Sequence, residues 1–237
     1  MTMSELKEPL ILAIETATRA GSVALARGNE ILCSASGDAA ASHSTDLIET
    51  VETILKSARV ELSEIDLFAA AEGPGSFTGL RIGLATTKSF AVCTGRLCAG
   101  ISTLAAIAHA AGNSERTVSL LPAGRGELFA QMFSVRAGQA RELDEAAHLP
   151  PGAILERYRQ AQPVLWAGEG AHLHAGALRD GFGSPDIAHR ADQLATSIAA
   201  LALNAYRSGV TVSPNDLRAV YVRASDAEIN KKWQREK

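Results

Sequence analysis

A glycine-rich turn at residues 72–81, EGPGSFTGLR, constrains the fold of this chain more than any other stretch. It follows a short apolar run at residues 67–71 and precedes a long helical pattern that is almost free of charge. This order predicts a buried strand, a tight turn and a helix start. A helix start offers free backbone N–H groups and the positive end of the helix dipole, so the turn suits either an anion or a docked partner.

The spacing of the glycines excludes two common phosphate-binding motifs. No Lys-Ser or Lys-Thr pair follows Gly79, as a Walker loop requires. Gly73, Gly75 and Gly79 are also spaced one residue too long for the dinucleotide fingerprint. Glu72, beside the turn, would oppose an anion. A purely structural strand-to-helix turn is therefore as well supported as a binding loop.

The helix predicted at residues 78–94 has very few charges. Between Leu80 and Gly95 only Arg81 and Lys88 are charged. A helix that is apolar nearly all round must be covered on most sides. Two interpretations stay open. Either the helix is central to its own domain, or its own sheet covers one half and a partner chain covers the other.

Composition argues against a chain that holds nucleic acid by itself. The 237 residues carry a net charge of −3, with a sequence pI near 6.1 and 5% aromatic residues. Phosphate contacts need a basic surface, and base stacking needs aromatic side chains. We therefore expect another chain to supply most of the affinity for any RNA.

The cysteines and apolar runs predict a cytoplasmic protein. There are three cysteines and no CxxC pair, which fits a reducing compartment. The first nine residues contain no apolar signal segment, and the longest apolar run, at 198–203, is too short to cross a bilayer.

The first half of the chain predicts a recurring order of elements. Three antiparallel strands are followed by helix, strand, helix, strand and helix, at residues 10–14, 22–26, 31–36, 44–58, 67–71, 78–94, 97–100 and 103–111. This is the half-molecule plan of the actin, sugar-kinase and Hsp70 ATPase fold, although many layered α/β folds share parts of it.

Patterns in the second half are weaker. They predict a hairpin across residues 124–126, a strand at 164–167, a helix at 192–207 capped by Asp192, and a short strand at 221–223 before a basic tail at 231–237.

Candidate catalytic side chains are scattered. His43 has only Asp38 and Asp46 as nearby carboxylates, so a polar loop role is favoured over a catalytic or metal role. His172 and His174 would face different directions on one helix. Glu15 ends the first strand, where the actin-like fold places an acidic residue that helps hold the metal of a nucleotide.

Seven short motifs occur at intervals along the chain. They are LILAIETAT at residues 10–18, SHS at 42–44, GPGSFTGLRIG at 73–83, STL at 102–104, GELF at 126–129, VYVR at 220–223 and KW at 232–233. Read together, they closely resemble the bacterial TsaB family, also called YeaZ. The resemblance covers nearly all of residues 10–136 and is sparser afterwards.

This resemblance implies an α/β, actin-like (Hsp70-ATPase-like) fold with two lobes, each a mixed sheet flanked by helices. We expect lobes at residues 1–110 and 111–237, with the last helix packing back and a basic tail. The family is the non-catalytic partner of the transferase TsaD in making N6-threonylcarbamoyladenosine (t6A) at position 37 of tRNA. A TsaE-like ATPase joins that complex, and tRNA is reached only through it.

The resemblance also implies the partner interface. It would comprise Gly73, Pro74, Gly75, Ser76, Phe77, Thr78, Gly79, Leu80, Arg81, Ile82, Gly83, Leu84 and Thr87, with Glu15 and His43 as secondary positions. The chain alone is expected to form a homodimer through the same helix. No catalytic residue, metal or cofactor is expected in the chain itself, and a nucleotide at the complex interface stays open.

Two departures from the family pattern and two alternatives accompany this interpretation. Glu15 stands where relatives usually have Asp, and Pro122, Ala123 and Gly124 replace a usual Asp-Ala-Arg, with the loss of two charges. The first alternative is an active glycopeptidase or ATPase of the same superfamily, disfavoured because no metal-binding histidine pair is present. The second is a sugar kinase, which would need phosphate-binding turns and a base carboxylate.

Overall fold

The computed structural model describes residues 8–37, 43–191 and 193–222. The predicted cap at Asp192, the SHS serine at position 42 and the basic tail at 231–237 lie outside the described residues. The predicted last strand at 221–223 also falls partly outside them. Its described part, Tyr221 and Val222, forms no strand.

A five-stranded mixed sheet forms the first half of the molecule. Its strands are β1 (Leu10–Glu15), β2 (Ser22–Arg27), β3 (Glu30–Ser36), β4 (Leu67–Gly73) and β5 (Leu97–Ser102). They are arranged in the order β3-β2-β1-β4-β5. The three antiparallel strands predicted at the start are confirmed, and β4 and β5 add to β1 in parallel. All six residues of β1 are buried, because helices cover this central strand on both faces.

Helices cover the two faces of this sheet. They are α1 (His43–Ala58), α2 (Phe77–Thr94), α3 (Thr103–Ala110) and α7 (Leu194–Arg207). Helices α1 and α2 bury Leu47, Val51 and Leu84 against one face. Helix α7 buries Ile198 and Ala202 against the other. The last helix of the described chain thus packs back onto the first sheet.

The second sheet has six strands. They are β6 (Ser114–Gly124), β7 (Glu127–Arg136), β8 (Gln139–Glu142), β9 (Ala147–Leu149), β10 (Leu165–Ala167) and β11 (Asp186–Ile187). The main order is β11-β10-β6-β7-β8, and β9 also pairs with β7. Short helices α4 (Pro151–Arg157), α5 (Glu169–Leu173) and α6 (Ala175–Phe182) surround a core that contains Trp166 and Tyr158.

The sequence patterns predicted the helices and strands of the second half less completely than those of the first. The hairpin β6–β7 and strand β10 are confirmed, whereas β8, β9, β11 and α4–α6 had no clear signal. His172 belongs to α5, and His174 lies between α5 and α6 rather than in one helix with it. The predicted division at residue 110 stays a prediction, and it coincides with the end of α3, between the two sheets. No helix of the described ranges is long and apolar enough to span a membrane.

Candidate functional site: the glycine turn, its helix and the cleft

The glycine turn packs directly onto the β1–β2 connection. A Cβ placed at Gly75 would lie 2.6 Å from the carbonyl oxygen of Ala17, and one at Gly79 would overlap the carbonyl oxygen of Thr16. Gly73 has a positive φ of 123°, and a Cβ there would overlap the carbonyl oxygen of Val220. These positions require glycine because backbone lies against backbone.

Hydrogen bonds inside the chain occupy the N–H groups of Ser76, Gly79 and Leu80 in this turn. The Ser76 N–H donates to the carbonyl of Ala17 at 2.8 Å. Ser76 also caps α2, because its Oγ accepts from the Gly79 N–H at 3.2 Å. Thr16 Oγ1 donates to the carbonyl of Gly79 at 2.8 Å. These internal bonds favour the structural-turn interpretation over anion binding.

Helix α2 has one buried face and one exposed face. Its buried residues are Gly79, Leu80, Gly83, Leu84, Thr87 and Ala91. Its exposed residues include Thr78, Arg81, Ala85, Ser89 and Val92. We call these five residues, together with the half-buried Ile82, the α2 outer face.

Gly83 and Thr87, two of the predicted interface positions, are buried inside the chain. Thr87 is fully buried, and a Cβ at Gly83 would overlap Thr16 Oγ1. Among the other predicted interface positions, those buried in the chain itself are Gly73, Pro74, Gly79, Leu80 and Leu84. The small residues at the buried positions let the helix approach its own β1–β2 turn closely.

An aromatic and cationic cluster lies beside the start of α2. The rings of Phe77 and Tyr221 lie 5.3 Å apart, and the Arg81 guanidinium carbon stands 3.7 Å above the centre of the Phe77 ring. Arg81 Nε also donates to the Tyr221 hydroxyl at 3.4 Å. Val220, one residue earlier, donates its N–H to the carbonyl of Glu72 at 2.7 Å. The C-terminal end of the described chain is thereby fastened to the glycine turn.

Glu15 is used by its own turn. It is only 1% exposed, its Oε1 accepts from the Thr18 N–H, and its Oε2 accepts from Thr18 Oγ1, both at 2.7 Å. The carboxylate therefore stabilises the turn after β1, which gives it a structural function independent of any ligand. The other secondary position, His43, begins α1, and its side chain lies outside the described part of the molecule.

A cleft of about 720 Å³ separates the glycine turn from the β6–β7 hairpin. Its walls include Pro74 and Phe77 on one side and Leu121, Pro122 and Phe129 on the other. Ala123 and Gly124 complete the hairpin wall, so the positions that replace the family's Asp-Ala-Arg line the cleft with uncharged groups. The hairpin therefore presents no charged side chain to a phosphate at these three positions.

Glu72 lies between the glycine turn and the C-terminal segment. Its carboxylate lies against Gly100, because a Cβ at Gly100 would overlap Glu72 Oε2. Burial raises the pKa of this carboxyl above its ordinary value. Within the described ranges, no three His, Cys, Asp or Glu side chains are grouped so that they could hold a metal ion.

Sequence reasoning did not single out Ser89 and Val92 on the α2 outer face, or the contact that Tyr221 makes beside it. A signal for the first two was present, because positions 78, 85 and 92 recur every seven residues with Ile82 and Ser89 between them. This spacing marks one stripe along a helix. Tyr221 had no comparable signal, since its contact with Phe77 joins residues far apart in sequence.

Comparison with known proteins supports one family. A family model described as TsaD, tRNA N6-adenosine threonylcarbamoyltransferase, matches residues 37–230. The chain is 31% identical over 159 residues to the tRNA threonylcarbamoyladenosine biosynthesis protein TsaB of Escherichia coli K12, covering 63% of this chain and 66% of that protein. It is 24% identical over 176 residues to TsaB of Bacillus subtilis 168, covering 73% and 77%.

Comparison with solved structures supports the same family. A Pseudomonas aeruginosa structure, described as an uncharacterized protein with similarity to peptidase YeaZ, superimposes with a TM-score of 0.78 at 27% identity. The superposition covers 91% of this chain and 100% of that one. Component A of (R)-2-hydroxyglutaryl-CoA dehydratase from Acidaminococcus fermentans, at 12% identity and a TM-score of 0.53, shares the fold.

The two mixed sheets flanked by helices confirm the predicted actin-like fold class. The matched family model covers most of the chain. The curated relatives are TsaB proteins and the superimposed structure is described as similar to YeaZ, so they indicate the group within that family. The chain therefore belongs to the TsaD family and, within it, to the TsaB (YeaZ) group.

Proposed function

We propose that this chain is the non-catalytic subunit of the complex that makes t6A at position 37 of tRNA, where it binds and activates a TsaD-like transferase. The relatives named as TsaB t6A biosynthesis proteins support the pathway. The α2 outer face is the observation that carries the docking role. A TsaE-like ATPase completes the complex, and tRNA is held mainly by the assembly.

The shape of the α2 outer face suits another helix. Thr78, Ala85 and Ser89 are small, so a partner backbone can approach closely along the stripe. Val92 is 64% exposed at the far end of the helix. Burying a valine side chain contributes on the order of 1–2 kcal/mol, so this residue is a natural anchor.

Arg81 gives the other end of the stripe a fixed polar contact. The guanidinium is stacked on Phe77 and bonded to Tyr221, so its orientation is set before a partner arrives. Because this ordering is already complete in the free chain, less side-chain entropy is lost on binding. When the transferase is absent, the same face would pair with a second copy of this chain and give the homodimer.

The alternative of an active glycopeptidase or ATPase gains no specific support. The description of the P. aeruginosa structure names a similarity to a peptidase, and that description applies to the P. aeruginosa protein only. Glu15 stands where an active ATPase of this fold would hold the metal of its nucleotide. Here both of its carboxylate oxygens accept hydrogen bonds from Thr18, so the carboxylate serves its own turn.

A reconstituted t6A assay tests the proposed role. The reaction contains a TsaD-like transferase, a TsaE-like ATPase, the threonylcarbamoyl-adenylate donor and tRNA, with or without this chain. We expect t6A only when this chain is present, and no ATP hydrolysis or peptidase activity from this chain alone. Full transferase activity without it would overturn the proposal. Activity of the chain alone that is lost in Glu15→Gln would instead support the alternative.

A further inference from the structure

A basic groove lies on the second sheet, apart from both α2 and the cleft. It has a volume of about 750 Å³ and is lined by Glu115, Arg116, Ser134, Arg136, Gln139, Arg141, Leu143 and Pro163. We call it the sheet-edge groove. Three arginines against one glutamate give its lining a net charge of +2, in a chain whose overall charge is −3.

Strand register explains why the arginines meet here. Ser134 on β7 is paired with Arg141 on β8. On the other side, a register shift between Ser114 and Thr117 sets two residues of β6, Glu115 and Arg116, opposite Ser134. Arg116, Ser134 and Arg141 all line the groove, so the two arginines share one surface. Two strand spacings separate the backbones of these two residues, which is roughly 10 Å.

The three arginines are held differently. Arg116 Nη1 donates to the carbonyl of Ala161 at 2.9 Å, which fixes that guanidinium at the wall of the groove. Arg136 is paired with Glu115, and both are largely exposed. The backbone of Arg141 pairs with β7, and its side chain makes no hydrogen bond or ion pair with another residue of the described ranges. Arg141 is therefore a free cation, and Arg116 keeps most of its donors free.

We propose that the sheet-edge groove contacts the phosphate backbone of tRNA in the assembled complex. This inference rests on the proposed function, which supplies the RNA. Guanidinium groups bind phosphate oxygens through paired N–H donors, and two of them in one groove can contact separate phosphates of one strand. The acidic average of the chain weakens binding at long range, so the groove adds affinity to the complex and binds only weakly alone.

The lining favours RNA over an acidic protein. Only Leu143 and Pro163 of its eight lining residues are apolar, and the other six are polar or charged. The centres of protein interfaces are usually rich in apolar and aromatic residues, which this lining lacks. Phosphate contact without base reading fits a surface that lacks aromatic side chains among its lining residues.

Fluorescence anisotropy with a labelled tRNA transcript tests the groove. The isolated chain is titrated at about 20 mM salt, and the complex with its transferase at salt concentrations from about 50 to 300 mM. The double variant Arg116→Ala/Arg141→Ala removes two cations. Arg179→Ala, which removes an exposed cation from α6, is the control. Arg141→Ala alone removes no described contact, so it keeps the test valid if Arg116→Ala disturbs the fold.

We expect the double variant to weaken binding by the complex about tenfold or more near 0.1 M salt. The magnitude of the slope of log affinity against log salt should fall by roughly 1.4–1.8, since each of the two lost phosphate contacts contributes about 0.7–0.9. The isolated wild-type chain should show weak binding at low salt, and the double variant should lose it. Arg179→Ala should match the wild type in both settings.

Two results would overturn the proposal. One is an unchanged affinity and salt slope for the double variant. The other is groove-dependent binding of labelled polyglutamate without groove-dependent binding of tRNA, which would assign the groove to an acidic protein. Co-elution with the transferase is measured separately. Groove variants should still co-elute, so a failure of the proposed docking role is distinguishable from a failure of RNA contact.

Discussion

Thr16 Oγ1 donates a 2.8 Å hydrogen bond to the carbonyl of Gly79, joining the turn after β1 to the first turn of α2. The carbonyl oxygen of Thr16 occupies the place where a side chain at residue 79 would begin. The strand that starts the fold and the helix that we propose as the docking element are thus locked together. Any change that separates them should alter stability before it alters binding.

Gly79→Ala should destabilise the protein by about 1–3 kcal/mol, because the new methyl group overlaps the Thr16 carbonyl. Gly176→Ala is the matched control. It lies in α6 with no heavy atom within 4 Å of the new Cβ, and it should be neutral or slightly stabilising. Urea unfolding followed by circular dichroism measures both. Equal midpoints for the two variants would show that the close approach at residue 79 is not required.

Gly83→Arg should prevent folding of the monomer rather than only its association. A side chain at this position meets Thr16 Oγ1 in the interior, and an arginine there would be a buried charge without a partner. The variant should lose its cooperative unfolding transition or be recovered only as aggregate. A folded Gly83→Arg monomer that fails to associate would return this residue to the interface.

Glu72→Gln should raise stability at pH 7 and have little effect near pH 4. Burial raises the pKa of this carboxyl in the folded state, so the folded protein favours the protonated form. This preference adds to the free energy of unfolding. The contribution is complete at pH values below the pKa of Glu72 in the unfolded state, and it is lost as the pH rises through the higher pKa of the folded state. The neutral glutamine avoids that loss at pH 7. Glu49→Gln, at an exposed site on α1, is the control, measured by urea unfolding at both pH values.

If the stability difference between Glu72→Gln and the wild type were the same at pH 4 and pH 7, ionisation of Glu72 would not be its cause. A packing change against Gly100 would then be the explanation.

The cysteines should report on the α2 outer face. Cys93 is exposed near the end of α2, beside Val92. Cys98 is buried in β5, and burial raises the pKa of its thiol to about 11. At pH 8 a thiol reagent should therefore modify Cys93 quickly and Cys98 only after unfolding, because the thiolate is the reactive form. Adding the transferase partner should slow the modification of Cys93, as mass spectrometry of the labelled peptides would show. Unchanged labelling of Cys93 in a verified complex would place the interface away from this end of α2.

The first sheet could be predicted from the sequence because its signals are local. Apolar runs of strand length, the turns at Gly21 and Gly28, and the capped start of α2 all report on neighbours in the chain. The second half was harder, because strands such as Asp186–Ile187 have two residues and depend on pairing with distant β10. Too few residues alternate there to give a period.

Prediction of the candidate site from the sequence is limited in the same way, because contacts between distant residues decide it. Its small residues correctly marked α2 as a helix in close contact, but composition alone cannot tell which side of the helix is covered. Gly83 and Ser89 are both small, and only the position of Thr16 places Gly83 inside. The stacking of Phe77 on Tyr221 and the basic groove both arise from residues that are brought together by folding.

Binding of a TsaD-like transferase to Ser89→Arg, compared with Ser208→Arg, tests the docking role most directly. Ser89 lies at the middle of the α2 outer face, whereas Ser208 is an exposed residue at the end of α7, on the opposite face of the first sheet. Size-exclusion chromatography with light scattering measures the complex, and circular dichroism checks the fold. We expect Ser89→Arg to remain folded and to lose both homodimer and complex, with affinity reduced at least about a hundredfold because a charge is buried at a tight helix contact. Ser208→Arg should bind like the wild type. A folded Ser89→Arg that binds the transferase with unchanged affinity would contradict the proposed interface.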